Sequence, residues 1–382
     1  MVKELRVGLI GYKFMGKAHS NAWYKVHRFF DLPAAPVMRA VCGRHAAAVR
    51  AFARRWGWQT VETDYRRLVE RDDIDIVDVA TPNDSHAEIA IAAARAGKHV
   101  VCEKPLAMNA AEARRMVDAV RRAKVFHMVW HNYRRIPAVT LAKQLIDEGR
   151  IGDIRHWRAV YLQDWIVDPA FPLVWRLRKE VCGTGAHGDL NAHLIDLARY
   201  LVGEITEVAG LSETFIRKRP LPAGESGRAS KARRRMGNVT VDDAVLFLAR
   251  FANGAVGTFE ATRLAPGRKN GWSFEINGSK GTLAFHFEDM NYLDYYSTED
   301  PPHARGFRRI IATEGVHPYV SAWWPPGHMI GYEHTFVNQA RDIVVAIARR
   351  KREHPDFVDG LRCQQVLDAV VSSAGRKRWV KV

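Results

Sequence analysis

The chain has 382 residues, of which 47% are hydrophobic and 26% charged, which is too apolar for a disordered or fibrous chain and long enough for two or three domains, two if one is large. No stretch of about 18 apolar residues is free of charge, so no membrane helix is expected, and the start of the chain lacks the cationic, apolar and small-residue succession of a secretory leader. Net charge is +16, from 58 basic and 42 acidic residues, which raises nucleic acid as a partner.

Arg6 to Ile10 reads as a strand and Met15 to Phe30 as a helix. A second strand, Val37 to Cys42, precedes Ala46 to Trp56, whose Ala48, Phe52 and Trp56 keep the i, i+4, i+8 spacing of an amphipathic helix. Ile74 to Ala80 is a strand rich in β-branched residues, stopped by the turn and cap signal Thr81-Pro82-Asn83-Asp84. Glu88 to Ala96 is a helix closed by Gly97, His99 to Cys102 a buried strand, Ala110 to Ala123 a helix and Val125 to Trp130 a strand. Strands alternating with helices of this length predict an α/β domain over residues 1–130, a parallel sheet with helices on both faces.

From residue 131 the rhythm changes. Pro137 to Glu148 is a helix with a Gly149 stop; Ile154 to Trp165 is a long strand with Trp157, Ala159, Tyr161, Gln163 and Trp165 on one face; Asp189 to Leu201 is an amphipathic helix. The one dense basic run, Arg217-Lys218-Arg219 with Lys231-Ala232-Arg233-Arg234-Arg235, carries no interleaved aromatics. It reads as a solvated basic loop over about 217–239, with non-specific phosphate affinity but no specific nucleic-acid partner. Two hairpins follow, turning at Asn253-Gly254 and Asn277-Gly278, with arms Asp243 to Phe251, Ala255 to Arg263, Ser273 to Ile276 and Thr282 to Phe287. Two helices, about Glu333 to Arg350 and Asp359 to Arg376, finish the chain. Residues 131–382 are therefore predicted to form an α+β domain with a large, mostly antiparallel open sheet. Its few helices cannot cover that sheet, so a homo-oligomer, dimer or tetramer, is expected. Cys42, Cys102, Cys182 and Cys363 are scattered without a C-x-x-C pair, which points to a reducing cytoplasm.

Gly8-Leu9-Ile10-Gly11-Tyr12-Lys13-Phe14-Met15-Gly16 lies at the first strand-to-helix corner. A dinucleotide fold wants G-x-G-x-x-G there, for a tight turn, close approach to the pyrophosphate and a helix N-terminus aimed at it. Gly11 and Gly16 take the first and third positions; Lys13 replaces the second glycine and either crowds the turn or pairs with a phosphate. NAD-selective sites carry an acid after the second strand. Cys42-Gly43-Arg44-His45 has none, and Arg44 stands where it either meets a 2′-phosphate or is solvated. The cofactor expectation is NAD(P), with NADP slightly favoured.

Glu103-Lys104-Pro105 ends a strand at the carboxyl edge of the sheet, where open α/β sheets bind ligands. Gly183-Thr184-Gly185-Ala186-His187-Gly188-Asp189-Leu190-Asn191-Ala192-His193 leads into a helix that carries Asp189 and His193 at i, i+4. A carboxylate beside an imidazole suits proton transfer near neutral pH; a core or surface histidine is the alternative. Together with Gly8 to His19, Ala80-Thr81-Pro82-Asn83 with His86, Gly97 to Leu106, Asn132-Tyr133-Arg134-Arg135, Phe251 to Gly257 and Asp359-Gly360, these residues resemble the Gfo/Idh/MocA oxidoreductase family over nearly the whole chain. Tyr161-Leu162-Gln163-Asp164-Trp165 and Asn132 to Arg135 look most like members that oxidise sugar rings at C3.

The resemblance implies a Rossmann domain that binds NAD(P) and a second domain that supplies substrate contacts and the oligomer interface. Lys104, Asp189 and His193 fall at the catalytic positions, and Gly11, Phe14, Met15, Gly16, Thr81, Pro82, Asn83, His86 and Glu103 at the cofactor positions. The implied reaction moves a hydride between a secondary hydroxyl of a sugar or cyclitol and nicotinamide. His193 would take the proton, Asp189 orient it, and Lys104 stabilise the developing alkoxide. Gln163, Trp165 and Tyr133 would line the polyol site, or merely pack. Three other readings compete: a redox glycosidase that oxidises C3 transiently, a non-catalytic sugar or dinucleotide sensor, and a metal site on Cys182, His187, Asp189 and His193, whose C-x4-H-x-D-x3-H spacing matches no compact zinc signature.

Overall fold

The computed structural model describes residues 3–222 and 235–382. Contacts divide the chain into two units, Met1–Leu141 with Ile311–Gln364, and Ala142–Ile310 with Gln365–Val382. The sequence places one boundary near residue 130; instead, residues 311–364 return to the first unit, because the C-terminal helices bury their apolar faces there.

The first unit begins with β1 (Lys3–Ile10), α1 (Phe14–Phe29), β2 (Ala34–Cys42), α2 (Ala46–Trp56), β3 (Thr60–Glu62), α3 (Tyr65–Glu70) and β4 (Ile76–Val79). It continues through α4 (His86–Arg95), β5 (His99–Cys102), α5 (Ala110–Ala123), β6 (His127–Val129) and α6 (Pro137–Asp147). The six strands are parallel in the order β3-β2-β1-β4-β5-β6, the dinucleotide-binding order. Every residue of β4 is buried, as a parallel strand covered on both faces requires. One core carries Leu5, Trp23, Trp130 and Phe336, and another Val77, Val100, Met116 and Phe357. β3 and α3 were not legible in the sequence: three residues are too few for periodicity, and α3 depends on Asp64, whose carboxylate caps the Arg66 N–H.

The second unit contains β7 (Ile154–Leu162), α7 (Lys179–Cys182), α8 (Ala192–Leu201), β8 (Ile205–Glu213), β9 (Lys218–Pro220), β10 (Met236–Asn238) and β11 (Ala244–Phe251). Then come β12 (Val256–Thr262), β13 (Gly271–Gly278), β14 (Gly281–His286), β15 (Tyr292–Ser297) and β16 (Arg308–Ile311). After α9 (Tyr332–Arg349) of the first unit, α10 (Phe357–Arg376) begins in the first unit and ends in the second, followed by β17 (Val380–Lys381). Nine strands form one sheet, β16-β15-β14-β13-β7-β12-β11-β8-β17, antiparallel where pairing is resolved except for the parallel pair β7–β12.

Four expectations are corrected here. The chain turns at Asn253-Gly254, with Gly254 at φ 88°, but in a three-residue loop rather than a tight two-residue turn: Phe251 N–H donates to Ala255 O (2.9 Å) and Gly254 N–H to Phe251 O (3.1 Å). Asn277 and Gly278, however, lie inside β13, paired with His156 and Ile154, and the turn falls at Ser279-Lys280. Gly278 serves close backbone approach: an added Cβ would meet Ile151 O at 2.0 Å. The strand expected to run to Trp165 stops at Leu162. The expected basic loop is flanked by the paired strands β9 and β10, and Arg219 is fully buried, donating to the carbonyl oxygens of Asp168 (2.7 Å) and Ile166 (2.6 Å). Lys231, Arg233 and Arg234 lie outside the described residues.

Candidate functional site

In the first unit the β1–α1 corner is shaped by backbone contact. Gly11 has φ 112°, and an added Cβ would meet Ala80 O at 2.3 Å; one on Gly16 would meet Gly11 O at 2.4 Å. Both positions demand glycine. Lys13 has φ −82°, an ordinary value, so the missing second glycine leaves the turn intact. Its ammonium lies 5.4 Å from the Tyr12 ring centroid. α1 has no side-chain cap and no acid in its first turn. Its leading N–H groups, with Lys13 and Lys17 beside them, fit the pyrophosphate of a dinucleotide. Phe14 is exposed and stacks on Tyr332 at 6.5 Å, and Met15 is half-buried at the same corner.

Thr81, Pro82 and Asn83 follow β4 at the carboxyl edge of the sheet. His86 was expected to touch the cofactor, but it is completely buried, with Nδ1 and Nε2 at 3.0 and 2.9 Å from the carbonyl oxygens of Pro105 and Thr81. Burial lowers its pKa against the pull of those carbonyls. Neutral, the ring donates to only one of these carbonyls, so it is hydrogen-bonded to one of the loops after β4 and β5 and packed against the other. Glu103 is likewise nearly buried: Oε1 lies 2.9 Å from His19 Nε2, and Oε2 accepts the Lys104 N–H at 3.1 Å. Lys104 follows, half-buried. Tyr133 is buried in the 3-10 turn Asn132–Arg135, edge-on to Tyr332. Arg44 is exposed, and among the described residues no carboxylate pairs with it. A side chain at Gly43 would crowd the Tyr12 ring, since an added Cβ would lie 2.2 Å from Tyr12 Cδ1 and the ring would have to move.

In the second unit Asp189 occupies a π-helical turn, His187–Asn191, directly before α8, and His193 lies in the first turn of α8, buried, its ring 6.0 Å from that of Tyr161. The turn is built on Asp242, whose carboxylate accepts the N–H groups of Gly185 (2.7 Å) and His187 (2.8 Å). A Cβ on Gly185 would meet Asp242 O at 1.9 Å, so the glycine-rich approach serves close packing. Asp189 Oδ2 accepts from Arg263 Nη2 at 2.7 Å, with Arg263 almost fully buried and Asp189 29% exposed. The sequence analysis missed Arg263. A signal was present: the alternation that turns Gly257, Phe259 and Ala261 inward puts Arg263 on the same face, and a buried cation needs a partner.

Gln163 and Trp165 lie beyond the end of β7, so they do not share a strand face with Tyr161. Hydrogen bonds join them instead. Trp165 Nε1 donates to Gln163 Oε1 (2.9 Å), Gln163 Nε2 donates to Asn270 Oδ1 (2.8 Å), and the Tyr161 hydroxyl donates to the same oxygen (2.9 Å). Asn270, also missed, is the hub. The Arg263 guanidinium lies 5.5 Å over the Trp165 ring.

The four residues weighed as metal ligands are directed apart. His187 donates from Nε2 to Leu367 O (3.0 Å) and accepts from Asn191 on Nδ1, and Cys182 Sγ points to Arg178 O. Elsewhere His354, Asp356 and Asp359 place ligand-type atoms within 4.8 Å of one another. Asp356 is spent on capping Val358 and Asp359 at the start of α10, and His354 on bonding Asp359. Among the described residues no helix is long and apolar enough to cross a membrane.

Residues 5–131 match the oxidoreductase family with an NAD-binding Rossmann fold, and residues 139–284 match the GFO/IDH/MocA C-terminal domain. The chain is 46% identical over 386 aligned positions to levoglucosan dehydrogenase of Pseudarthrobacter phenanthrenivorans, covering 100% of this chain and 99% of that protein. The chain belongs to the Gfo/Idh/MocA family. This Gfo/Idh/MocA oxidoreductase superposes on an oxidoreductase domain protein of Kribbella flavida with TM-score 0.95 and 55% identity, covering 100% and 99% of the two chains. Levoglucosan dehydrogenase in complex with NADH and levoglucosan matches with TM-score 0.94 and 46% identity over the same shares. Inositol 2-dehydrogenase of Rhizobium meliloti is 27% identical over 384 positions, 99% of each chain. The protein is an NAD-binding oxidoreductase of the sugar and polyol dehydrogenase type.

Proposed function

We propose that the protein oxidises a secondary ring hydroxyl of a sugar or cyclitol, with C3 of a pyranose the first position to test. Gly11, Phe14, Met15 and Gly16 hold the dinucleotide, with Thr81, Pro82, Asn83 and, below them, Glu103. Bound nicotinamide supplies the hydride acceptor. The Lys104 ammonium donates to the reacting oxygen and gains value as that oxygen becomes anionic. His193 takes the hydroxyl proton. Asp189 orients and polarises, and Tyr133, Gln163 and Trp165 contact the sugar. The observation that carries the reading is the Asp189 carboxylate fixed by Arg263 in the turn that leads into His193: a rigid carboxylate one helical step before an imidazole suits proton transfer. The finer assignments, use of NADP beside NAD, a cytoplasmic location and a homo-oligomer, belong to the same proposal. The four buried free cysteines and the exposed Leu211, Leu246 and Leu248 on one sheet face support the last two.

Initial rates with NAD and NADP against levoglucosan, inositols and glucose test the substrate class. Lys104→Met should lower kcat on the best substrate about 10²–10³-fold, and His193→Ala about 10²–10⁴-fold. Near-wild-type turnover in Lys104→Met refutes the catalytic assignment.

A further inference from the structure

Beneath the Lys104 segment, wholly within the first unit, lies a buried ion triad, of which the proposed chemistry uses only Glu103. His19 stands in α1, three residues beyond Gly16, with no exposed surface. Its Nδ1 lies 3.0 and 3.1 Å from the two oxygens of Asp78, and its Nε2 lies 2.9 Å from Glu103 Oε1. A carboxylate only accepts, so both ring nitrogens donate and the ring is an imidazolium. Asp78 is tied down further by two indoles, Trp23 Nε1 at 2.7 Å and Trp130 Nε1 at 2.9 Å. Asp78 thus accepts one hydrogen bond from each indole besides its contact with His19. Glu103 Oε2 accepts the Lys104 N–H at 3.1 Å.

The surroundings leave His19 few other partners. The rings packed against it are Trp130 at 4.4 Å and, from α9, Phe336 at 5.6 Å, both uncharged. The titratable groups nearby are Asp78 in β4, and Cys102 and Glu103 at the end of β5, with His86 beyond Glu103. Burial, then Glu103 and Asp78, pushes the Cys102 thiol well above its ordinary value, so it stays neutral. Burial also keeps His86 neutral. For His19 burial lowers the pKa, but Asp78 and Glu103 outweigh it and raise it to about 9.

Such a triad is poor value as a stabiliser. Asp78 sits between Val77 and Val79 in a fully buried strand, where an apolar residue would serve stability as well or better. What the triad does provide is a fixed distance between three elements: α1 with its dinucleotide turn, β4, and the end of β5 that presents Lys104. We propose that His19 is a positioning residue of the dehydrogenase, locking Glu103 and through it the main chain of Lys104 relative to the glycine-rich corner. The proposal rests on the reading of Lys104 as the group that meets the reacting oxygen.

The test uses the full chain. His19→Gln keeps a side chain of similar reach but cannot donate to both carboxylates. Trp130→Phe is the mild companion, removing one donor from Asp78 and keeping an aromatic ring. In wild type, histidine-selective ¹H–¹⁵N spectra should show one doubly protonated ring at neutral pH that titrates near pH 9 and is absent from His19→Gln. NADH affinity, followed by its fluorescence, should change less than about 3-fold, while kcat falls about 10- to 100-fold in His19→Gln, as expected when a reacting group is displaced by about 1 Å. Trp130→Phe should lower kcat a few-fold and move the alkaline limb of its pH profile upward, because a carboxylate that loses a donor holds the imidazolium proton more tightly. A neutral His19 ring in wild type at neutral pH overturns the proposal. So does unchanged kcat and pH profile in either variant, with only the melting temperature lowered. Failure of the dehydrogenase reading would look different, since wild type itself would then reduce no NAD with any sugar.

Discussion

Removing the Arg263 guanidinium probes how the second unit presents Asp189. Arg263→Met keeps a straight stem and loses the 2.7 Å ion pair and the cation over Trp165. Deleting one partner of a buried pair costs about 3–5 kcal/mol. Asp189 is 29% exposed and can be hydrated, which cuts the loss to about 2 kcal/mol. Arg263 Nε is buried without a hydrogen-bond partner, and relieving it returns about 1 kcal/mol. The net destabilisation should be about 1–2 kcal/mol, a fall of a few degrees in melting temperature. The larger effect should be kinetic. With Asp189 no longer held, kcat should drop about 10- to 100-fold, and Arg263→Lys should recover only part of it, since an ammonium lacks the planar fork. A double-mutant cycle of Arg263→Met and Asp189→Asn on kcat/KM should show about 1–3 kcal/mol of coupling. Additivity within about 0.5 kcal/mol would refute the claim that Arg263 acts through Asp189.

Other outcomes follow from particular contacts. Gly43→Asp should destabilise the first unit by about 1–3 kcal/mol because its Cβ enters the Tyr12 ring; Tyr12→Ala in the same chain should relieve this, and thermal melts that show no relief disprove the steric account. Arg44→Ala should lower kcat/KM for NADP more than for NAD; equal effects on both would remove Arg44 from cofactor choice. Stability should fall on the alkaline side. His19 has a folded-state pKa of about 9 against 6.5, so its contribution is full below pH 6.5 and is lost as pH rises through about 9, a change of about 3 kcal/mol. On the acid side, buried His86 and His187 have lowered values, so their contribution is present above 6.5 and lost as pH falls. Urea midpoints across this range should form a dome, and a midpoint that rises through pH 9 contradicts the His19 assignment. Leu246→Lys with Leu248→Lys, on the exposed sheet face, should reduce the mass seen in light scattering; a monomeric wild type refutes the interface.

The local signals in the sequence determined much of this protein. Alternating strand and helix periodicities announced the parallel sheet, because each element's apolar face repeats within its own residues. Gly11 and Gly16 were legible because the corner they form spans six residues, and a turn at Asn253-Gly254 because a short loop carries its own chemistry, although the loop has three residues rather than two. Lys104, Asp189 and His193 stood out as residue types at motif spacings. What only the tertiary structure decided involves partners far apart in the chain. Asp189 meets Arg263 across 74 positions, and His19 meets Asp78 and Glu103 across 59 and 84. No periodicity encodes such pairs, since burial and charge balance are properties of the packed whole. The same holds for Asn277-Gly278, which looks like a turn locally but is claimed by strand pairing with β7, and for Arg219, whose basic run suggested solvent while its buried guanidinium bonds the carbonyl oxygens of Asp168 and Ile166.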